Sequence, residues 1–479
     1  MSETTGTRRS RRGFLRAVTR RFGTWPLFGV ILVWVVLALV VFTVLGWLWG
    51  EGPLWSWQRW LTNWRGAGVG ADSLDLVKVS LTTIGGIGGT GYLVIKYRER
   101  ASAERADAEQ RLLSGVQQLG SGSPQVRIAG VYSLADVADT YRGEYRQRVV
   151  SILCGYLRTQ RGEWRTIVNE QDGPEQSSEE KVYVSHDGAV ESTVLEVLVR
   201  HLRKRREKTK HREAVTQLVE DDQLWCDCTI DLHDTVLTEI ADFQDATFNR
   251  DANFGGATFN RDANFRDATF TNNAYFRDAT FNRDANFGGA TFNGDANFRD
   301  ATFNRDANFR DATFNRDAYF RDATFNGDAY FWGATFNGDA NFRGATFNGD
   351  ANFRGATFTN VANFWGATFN RDAYFWDATF NGDANFQDAT FTNGANFRGA
   401  TLNDANFRGA TFNRYAYFRG ATFTRSAPPK GLPPEQVDED GLPHGARWAD
   451  ADDEGPEAGS PDDAPAEGTG PGSAGSAAS

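Results

Sequence analysis

The phrase that recurs through the second half of the chain is Ala246-Thr247-Phe248-Asn249-Arg250-Asp251-Ala252-Asn253-Phe254. From residue 232 to residue 425, Phe returns in steps that alternate between five and six residues. Almost every Phe follows an Ala by two positions, so both side chains point to the same side of an extended segment. An α-helix cannot keep such steps on one face. The repeat therefore predicts a solenoid of short strands with Ala and Phe inside and turn residues at the corners.

The repeating unit has eleven residues and two large apolar positions. Counting from Leu232 to Phe423 gives 36 such positions, of which 33 are Phe. The other three are Leu232, Leu237 and Leu402. Near Asp404 one residue is missing, which predicts a local kink or phase shift.

The pattern resembles the pentapeptide-repeat family, whose motif is Ala, then Asp or Asn, then Leu or Phe, then two less restricted residues. Two stretches that fit it are Ala252-Asn253-Phe254-Gly255-Gly256 and Ala345-Thr346-Phe347-Asn348-Gly349. The resemblance implies a right-handed quadrilateral parallel β-helix over residues 231–425. This sequence adds one residue to every second pentapeptide, which predicts four sides, two of the eleven-residue units per coil and about nine coils.

Two apolar segments near the N-terminus predict membrane helices. Residues 1–26 contain seven Arg and one acid, and residues 27–49 are uncharged and long enough to cross ~30 Å of hydrocarbon. After a loop at 50–78, residues 79–95 are also uncharged, although they include five Gly and four Ser or Thr. Basic residues on both outer flanks then predict a multi-pass plasma-membrane protein with the bulk of the chain in the cytoplasm.

A reversed topology is the alternative. If residues 79–95 do not span, the same rule exports everything that follows residue 49. Residues 10–16, with Arg11 and Arg12 ahead of Phe14, also resemble a twin-arginine export signal. In that case the repeat is an exported envelope or adhesion rod.

The segments on either side of the repeat differ from it in composition. Residues 96–230 show helical spacing of apolar residues and predict a small α-helical domain, with a polar loop at 161–190 and Trp225 against the first coil. Residues 200–212 contain eight Lys or Arg, which predicts a solvated helix end or a site for anionic lipid or nucleic acid. Residues 426–479 are acidic, rich in Pro, Gly, Ala and Ser, and predicted to be disordered.

The sequence offers little for catalysis. Three Cys exclude a disulfide-stapled scaffold, and Cys226, Cys228 and His233 lack a fourth ligand, so no metal or cofactor is predicted. We find no nucleophile–base set and predict neither an enzyme nor a small-molecule substrate. Some pentapeptide-repeat proteins mimic duplex DNA and regulate gyrase. Residues 232–425 carry 23 acids and 18 Arg, interleaved, which suits that alternative poorly, and nucleic acid is not an expected partner.

Departures from the repeat identify a candidate contact site. Tyr330 and Tyr374 replace Asn before the Phe, and Trp332 and Trp376 replace the usual residue after it. The members of each pair are separated by four repeating units, which places both on one side, two coils apart, with Arg354 between them. An exposed aromatic stripe predicts a protein-binding surface, and drift at tolerant outer positions is the alternative.

These predictions combine into a membrane-anchored scaffold for protein–protein interaction. Its expected partners are membrane lipid and an unidentified protein. A homodimer through the last coil is left open.

Overall fold

The computed structural model describes residues 71–168, 179–206, 214–424, 430, 432, 437–439 and 442–448, together with Val36 and Val40. The chain divides into two compact units, Met1–Gln110 and Arg111–Ser479. The predicted segment 1–26, nearly all of 27–49 and 50–70 lie outside the described residues.

Helix α1 runs over Ala71–Leu119 and contains the predicted second membrane segment. Within the ranges just given, no helix combines the length and the apolar content needed to cross a membrane. The prediction of a spanning helix at 79–95 is therefore not met. The physical reason is that its five glycines and four hydroxyl side chains dilute the apolar residues.

Three helices form a small domain ahead of the repeat, as predicted. They are α2 at Pro124–Tyr141, α3 at Gly143–Arg158 and α4 at Gly188–Leu202. Leu134, Leu153 and Leu198, one from each helix, are fully buried. A short 3-10 helix at Asp221–Gln223 follows.

The predicted loop at 161–190 is wrong for part of its length. Strands β1 at Gly162–Val168 and β2 at Glu179–Ser185 pair as an antiparallel hairpin. Trp164 packs edge-on against Tyr183 with 5.3 Å between ring centroids. Residues 163–166 of β1 are all exposed, so no alternation of buried and exposed side chains marks this stretch as a strand.

The repeat forms a parallel β-solenoid with four sides of two-residue strands, as predicted. Each strand pairs with its counterpart one coil, or two repeating units, later in the chain: Thr269 pairs with Thr291, and Ala274 pairs with Ala296. We number the sides 1 to 4 in the order in which the chain visits them.

Side 1 contains Ile230–Asp231, Ala252–Asn253, Ala274–Tyr275, Ala296–Asn297, Ala318–Tyr319, Ala340–Asn341, Ala362–Asn363, Ala384–Asn385 and Ala405–Asn406. Side 2 contains Val236–Leu237, Thr258–Phe259, Thr280–Phe281, Thr302–Phe303, Thr324–Phe325, Thr346–Phe347, Thr368–Phe369, Thr390–Phe391 and Thr411–Phe412. Side 3 contains Ala241–Asp242, Ala263–Asn264, Ala285–Asn286, Ala307–Asn308, Ala329–Tyr330, Ala351–Asn352, Ala373–Tyr374, Ala395–Asn396 and Ala416–Tyr417. Side 4 contains Thr247–Phe248, Thr269–Phe270, Thr291–Phe292, Thr313–Phe314, Thr335–Phe336, Thr357–Phe358, Thr379–Phe380, Thr401–Leu402, Thr422–Phe423 and Arg447–Trp448.

Stacked Phe rings fill the core. Phe270 lies parallel to Phe292 with 4.9 Å between centroids, and Phe298 meets Phe309 edge-on at 5.4 Å. All four of these rings are fully buried, and the Ala residues of the strands fill the space beside the rings. Offset and edge-to-face aromatic pairs contribute beyond the area that they bury.

The corners between sides 1 and 2, and between sides 3 and 4, are tight turns. In all but the first of them, which runs from Leu232 to Thr235, an Ala N–H donates to the Phe carbonyl three residues earlier, as from Ala257 to Phe254 at 3.1 Å. The third residue has positive φ, +67° at Gly256 and +57° at Asp267. Gly and Asp tolerate this conformation better than other residues, which explains their alternation at this position.

The other two corners are wider and carry side-chain ladders. Asn304 donates its amide to Asn282 at 2.8 Å and accepts from Asn326 at 2.9 Å. The extra residue of every second pentapeptide lies in these corners. At Asp404 one corner loses a residue and Asp404 takes a φ of +38°. Pairing continues between Thr401 and Thr422, one residue short of the regular spacing, so the shift is absorbed within that corner.

A buried ion pair joins the helical domain to the first coil. Arg161 and Glu191 pair with side-chain exposures of 4% and 0%. The Glu191 carboxylate also accepts the backbone N–H groups of Thr238 and Glu239, at 2.6 and 3.0 Å. Arg161 donates to the carbonyl oxygen of Val236 at 2.7 Å.

Three further contacts lie at this junction. Trp225 is fully buried, and its ring stacks on His201 with 4.0 Å between centroids. Arg203 pairs with Asp242 at 2.8 Å, and Arg206 with Asp245 at 2.6 Å. The described part of the basic segment 200–212 therefore helps to hold the first coil and is more than a solvated helix end.

Part of the tail that was predicted to be disordered extends the solenoid. Arg447–Trp448 pairs in parallel with Thr422–Phe423, and the N–H of Phe407 donates to the carbonyl of Lys430 at 2.7 Å. Gly445 has a φ of +80°, and Ala446 donates to Pro443 at 2.9 Å, which reproduces a tight corner. The prediction of disorder is wrong for these residues. Lys430 and residues 442–448 add part of a coil beyond the recognisable repeat, which we call the cryptic half-coil.

Candidate interaction surface

The outward position of each tight corner is the residue directly after the buried Phe. Successive members of this position lie one coil apart and form a column along each of two opposite edges. Their backbones are linked: Gly333 donates to the carbonyl of Arg354, and Gly355 to that of Trp376. On the edge between sides 3 and 4, one stretch of the column is Arg310, Trp332, Arg354, Trp376 and Arg398. We call these five residues the Arg–Trp ladder.

The structure brings the four predicted site residues together. Tyr330 and Tyr374 lie on side 3, on either side of the strand that contains Asn352. Trp332 and Trp376 follow at the adjoining corner, and Trp332 is 47% exposed. The placement expected from two repeating units per coil is observed, while the binding role of these residues stays a prediction.

Arginine side chains lie between the tryptophan rings. The guanidinium carbon of Arg354 is 4.2 Å from the Trp376 centroid and 5.8 Å from the Trp332 centroid. Arg310 is 5.6 Å from Trp332, and Arg398 is 5.5 Å from Trp376. An exposed cation–π contact contributes about 0.5–1 kcal/mol. The surface is therefore an ordered alternation of rings and cations.

Sequence reasoning found only part of this arrangement. It placed Arg354 between the two tryptophans and missed Arg310 and Arg398. Both residues occupy the same position of the repeat, Arg310 one coil before Trp332 and Arg398 one coil after Trp376. Extending the repeat spacing by one coil in each direction therefore predicts both.

The two tyrosines have their hydroxyl groups bound to carboxylates. Tyr330 donates to Asp328 at 3.1 Å, and Tyr374 donates to Asp372 at 3.2 Å. Burial, with the nearby carboxylates adding to it, raises the pKa of Tyr330 to about 12. The same causes raise the pKa of Tyr374. The hydroxyls stay protonated and are bound to these carboxylates.

A column of carboxylates borders side 3 on its other edge. The backbone N–H of Asp328 donates to Asp306 at 3.0 Å, and that of Asp350 donates to Asp328 at 2.9 Å. Burial raises the pKa of Asp306 and Asp350. Side 3 thus has acidic groups along one edge and the cations of the Arg–Trp ladder along the other.

A family model for pentapeptide repeats in nine copies matches the solenoid in overlapping stretches: 232–280, 265–313, 287–335, 300–346, 331–379, 342–390 and 375–422. This part of the chain belongs to the pentapeptide-repeat family. No curated protein matches the chain.

The tight corners of the pentapeptide-repeat solenoid differ in whether the outward Arg pairs with the Asp that follows it, and on the ladder's own edge Arg266 pairs with Asp267 at 3.5 Å. On the edge between sides 1 and 2, Arg277 and Arg321 each pair with the Asp that follows, at 3.2 and 2.9 Å. In the ladder, Arg354 and Arg398 are each followed by Gly. Within the part of the chain that the structure describes, no carboxylate lies within 4.0 Å of either guanidinium. These ladder cations keep an uncompensated positive charge.

Trp365 provides a comparison on the opposite edge of the pentapeptide-repeat solenoid. It occupies the same corner position, is 37% exposed, and lies 4.2 Å from the guanidinium of Arg343. Its indole N–H donates to Asp388 at 3.1 Å. Trp365 is therefore a single tryptophan whose polar group is already bound.

The three cysteines are buried, and a cavity in the helical domain is lined by residues that already pair with each other. Burial raises the pKa of Cys154 to about 12 and those of Cys226 and Cys228 to about 11, and protonated thiols are poor ligands and nucleophiles. Among the described residues, no His, Cys, Asp or Glu cluster could hold a metal ion. A cavity of about 490 Å³ in the helical domain is lined by Arg127 and Asp187, which pair with each other at 2.8 Å.

Proposed function

We propose that the pentapeptide-repeat solenoid is a protein-interaction scaffold and that the Arg–Trp ladder is its contact surface. The observation that supports this proposal is the alternation of Trp and Arg on one edge, with Trp332 half exposed and Arg354 held between two rings. Trp and Arg are enriched among the residues that dominate interface energies. Because the ladder is ordered before binding, less side-chain entropy is lost when a partner docks.

The rest of the rod supports a scaffold role. The core consists of stacked Phe and Ala, so outward residues can vary without disturbing it. On the opposite edge, ion pairs such as Arg277 with Asp278 compensate the negative charge. This does not favour the DNA-mimic alternative, because mimicry of DNA needs a strong negative field. We propose no catalytic role.

The membrane tether is part of the same proposal and rests on residues 27–49, which are uncharged and long enough to span. Seven Arg in residues 1–26 favour the cytoplasm for that end. A single crossing then places the solenoid outside, and a cytoplasmic solenoid requires a second crossing. Fusion of the C-terminus to a fluorescent protein or to alkaline phosphatase distinguishes the two sides.

The contact surface is tested with matched tryptophan variants. The full chain serves as bait, and recovered proteins are quantified for the parent, for Trp332→Ala with Trp376→Ala, and for Trp365→Ala. We expect the double variant to lose the specific partner at least about tenfold, as for removal of interface hot spots, and Trp365→Ala to retain it. Equal recovery by a double variant with a native circular dichroism spectrum would overturn the proposal.

A further inference from the structure

We propose that the Arg–Trp ladder binds an extended acidic segment, and that in the protein alone its occupant is the chain's own segment 449–467. This inference rests on the contact role proposed above and names the chemistry of the ligand. Three features support it: uncompensated charge on the ladder, the composition of the segment, and the point at which the described chain ends.

The charges are complementary. Arg354 and Arg398 are exposed and are not paired with any carboxylate among the described residues. Arg419 occupies the next position of the same column and is also exposed. Residues 449–467 contain eight Asp or Glu, and residues 449–479 contain no Lys or Arg. The cations of the ladder and the acids of the segment therefore attract each other.

The geometry allows the contact. Trp448 extends side 4, and the Arg–Trp ladder borders that side. Arg398 lies two coils back from Trp448 and Arg354 four coils back, roughly 10 and 19 Å at ~4.8 Å per coil. An extended chain covers ~3.3 Å per residue, so residues 449–457 are long enough to reach both arginines.

The contact should be weak enough to be displaced. Single exposed ion pairs contribute little and are screened by salt. Covalent attachment of the segment to the solenoid offsets this weakness, because a short linker gives an effective concentration in the millimolar range. A protein partner with an acidic, extended segment would compete with residues 449–467 for the same arginines and rings.

The experiment uses a fluorescein-labelled peptide with the sequence of residues 449–467. Its anisotropy is titrated with the full chain in a mild detergent and with a variant that ends at Trp448. At about 50 mM salt we expect the shortened protein to bind the peptide and the full chain to bind it at least about tenfold more weakly, because its own tail competes. About 500 mM salt should abolish binding.

Matched variants identify the surface. In the shortened protein, Arg354→Gln with Arg398→Gln should weaken peptide binding at least about fivefold. Arg277→Gln with Arg321→Gln removes the same charge at the same corner position on the opposite edge, and should change binding less than about twofold. A peptide with every Asp and Glu replaced by Asn and Gln should not bind. Circular dichroism verifies that each variant is folded.

Three results would overturn the inference: no peptide binding to the shortened protein, equal binding to full and shortened chains, or equal weakening by both double variants. These results are separable from the scaffold test. If the peptide does not bind but Trp332→Ala with Trp376→Ala still loses the protein partner, the tail contact is refuted and the scaffold stands. If the partner is also retained, both proposals fail.

Discussion

Arg161 and Glu191 form an ion pair that is almost completely removed from water, with side-chain exposures of 4% and 0%. Both side chains also bond to the backbone of the first coil, through Val236, Thr238 and Glu239. The start of the solenoid is thus held by a charge pair in which each partner depends on the other for its counter-charge.

Glu191→Gln should destabilise the junction strongly. The substitution leaves Arg161 buried without a carboxylate, which costs about 3–5 kcal/mol when one partner of a buried pair is removed. Thermal unfolding followed by circular dichroism should show a clear fall in Tm. Glu163→Gln is the control, because Glu163 pairs with Arg165 at 53% exposure and exposed pairs contribute little. Equal Tm values for the two variants would contradict this assignment.

Phe309→Ala should be costly because the ring lies in the middle of a stack. Its centroid is 4.9 Å from those of Phe287 and Phe331. Replacing a buried Phe by Ala costs about 3–5 kcal/mol, including the cavity that remains. Urea unfolding should show this loss, and Phe412→Ala in the last coil, where the ring is only part-buried, should lose less. A smaller loss at 309 than at 412 would refute the stacked-core account.

Gly355 tests the conformational requirement of the tight corners. Its φ is +61°, and no atom lies within 4 Å of the position that a Cβ would take, so substitution introduces backbone strain without a clash. Gly355→Ala should cost about 1–2 kcal/mol, and Gly355→Asn should cost less, because Asn tolerates this conformation. The free energies of unfolding of the two variants provide the measurement, and the reverse order would disprove the argument.

The cryptic half-coil should stabilise the end of the solenoid. A variant that ends at Thr424 lacks the strand Arg447–Trp448 and the buried side chain of Leu442, which is 3% exposed. We expect its Tm to fall below that of a variant that ends at Trp448, since it loses the buried side chain of Leu442 and the pairing of strand Arg447–Trp448 with Thr422–Phe423. If the two variants unfold at the same temperature, residues 430–448 do not act as a cap.

Asp350→Asn should stabilise the protein at neutral pH and lose that advantage in acid. Burial, reinforced by Asp328, raises the pKa of Asp350, so the folded state holds the proton more tightly than the unfolded state. The ionised carboxyl therefore costs stability at pH 7, and this cost disappears as the pH falls through the raised pKa. The amide oxygen of Asn can still accept a hydrogen bond from the backbone N–H of Asp372, which lies 3.3 Å from the Asp350 carboxylate in the parent protein. The Tm of the variant should exceed that of the parent at pH 7 and lose this advantage at about pH 3.5. The same Tm difference at both pH values would contradict the prediction.

The register of the repeat could be predicted from the sequence because every coil has the same kind of inward side chains and the same kind of turn residues. Steps of five and six between Phe248, Phe254 and Phe259 fix the inward face, and the Gly or Asp at every tight corner fixes the turn. The same register placed Trp332 and Trp376 in one column. By contrast, residues 163–166 of the hairpin strand β1 are all exposed, so no alternation of buried and exposed side chains marks this stretch as a strand. The half-coil at 442–448 pairs across a longer stretch of chain than a regular coil and replaces Phe by Trp, so it falls outside the recognisable repeat.

The amino-acid sequence is enough to predict the four-sided solenoid, its inward Phe and Ala, and the column that contains Trp332 and Trp376. Strand alternation and a constant coil length are local properties of the chain. Contacts between residues that are distant in sequence depend on the tertiary structure: Arg161 with Glu191, Arg203 with Asp242, and the strand Arg447–Trp448 beside Thr422–Phe423. These depend on which coils and helices pack together, and no local pattern in the chain encodes that packing.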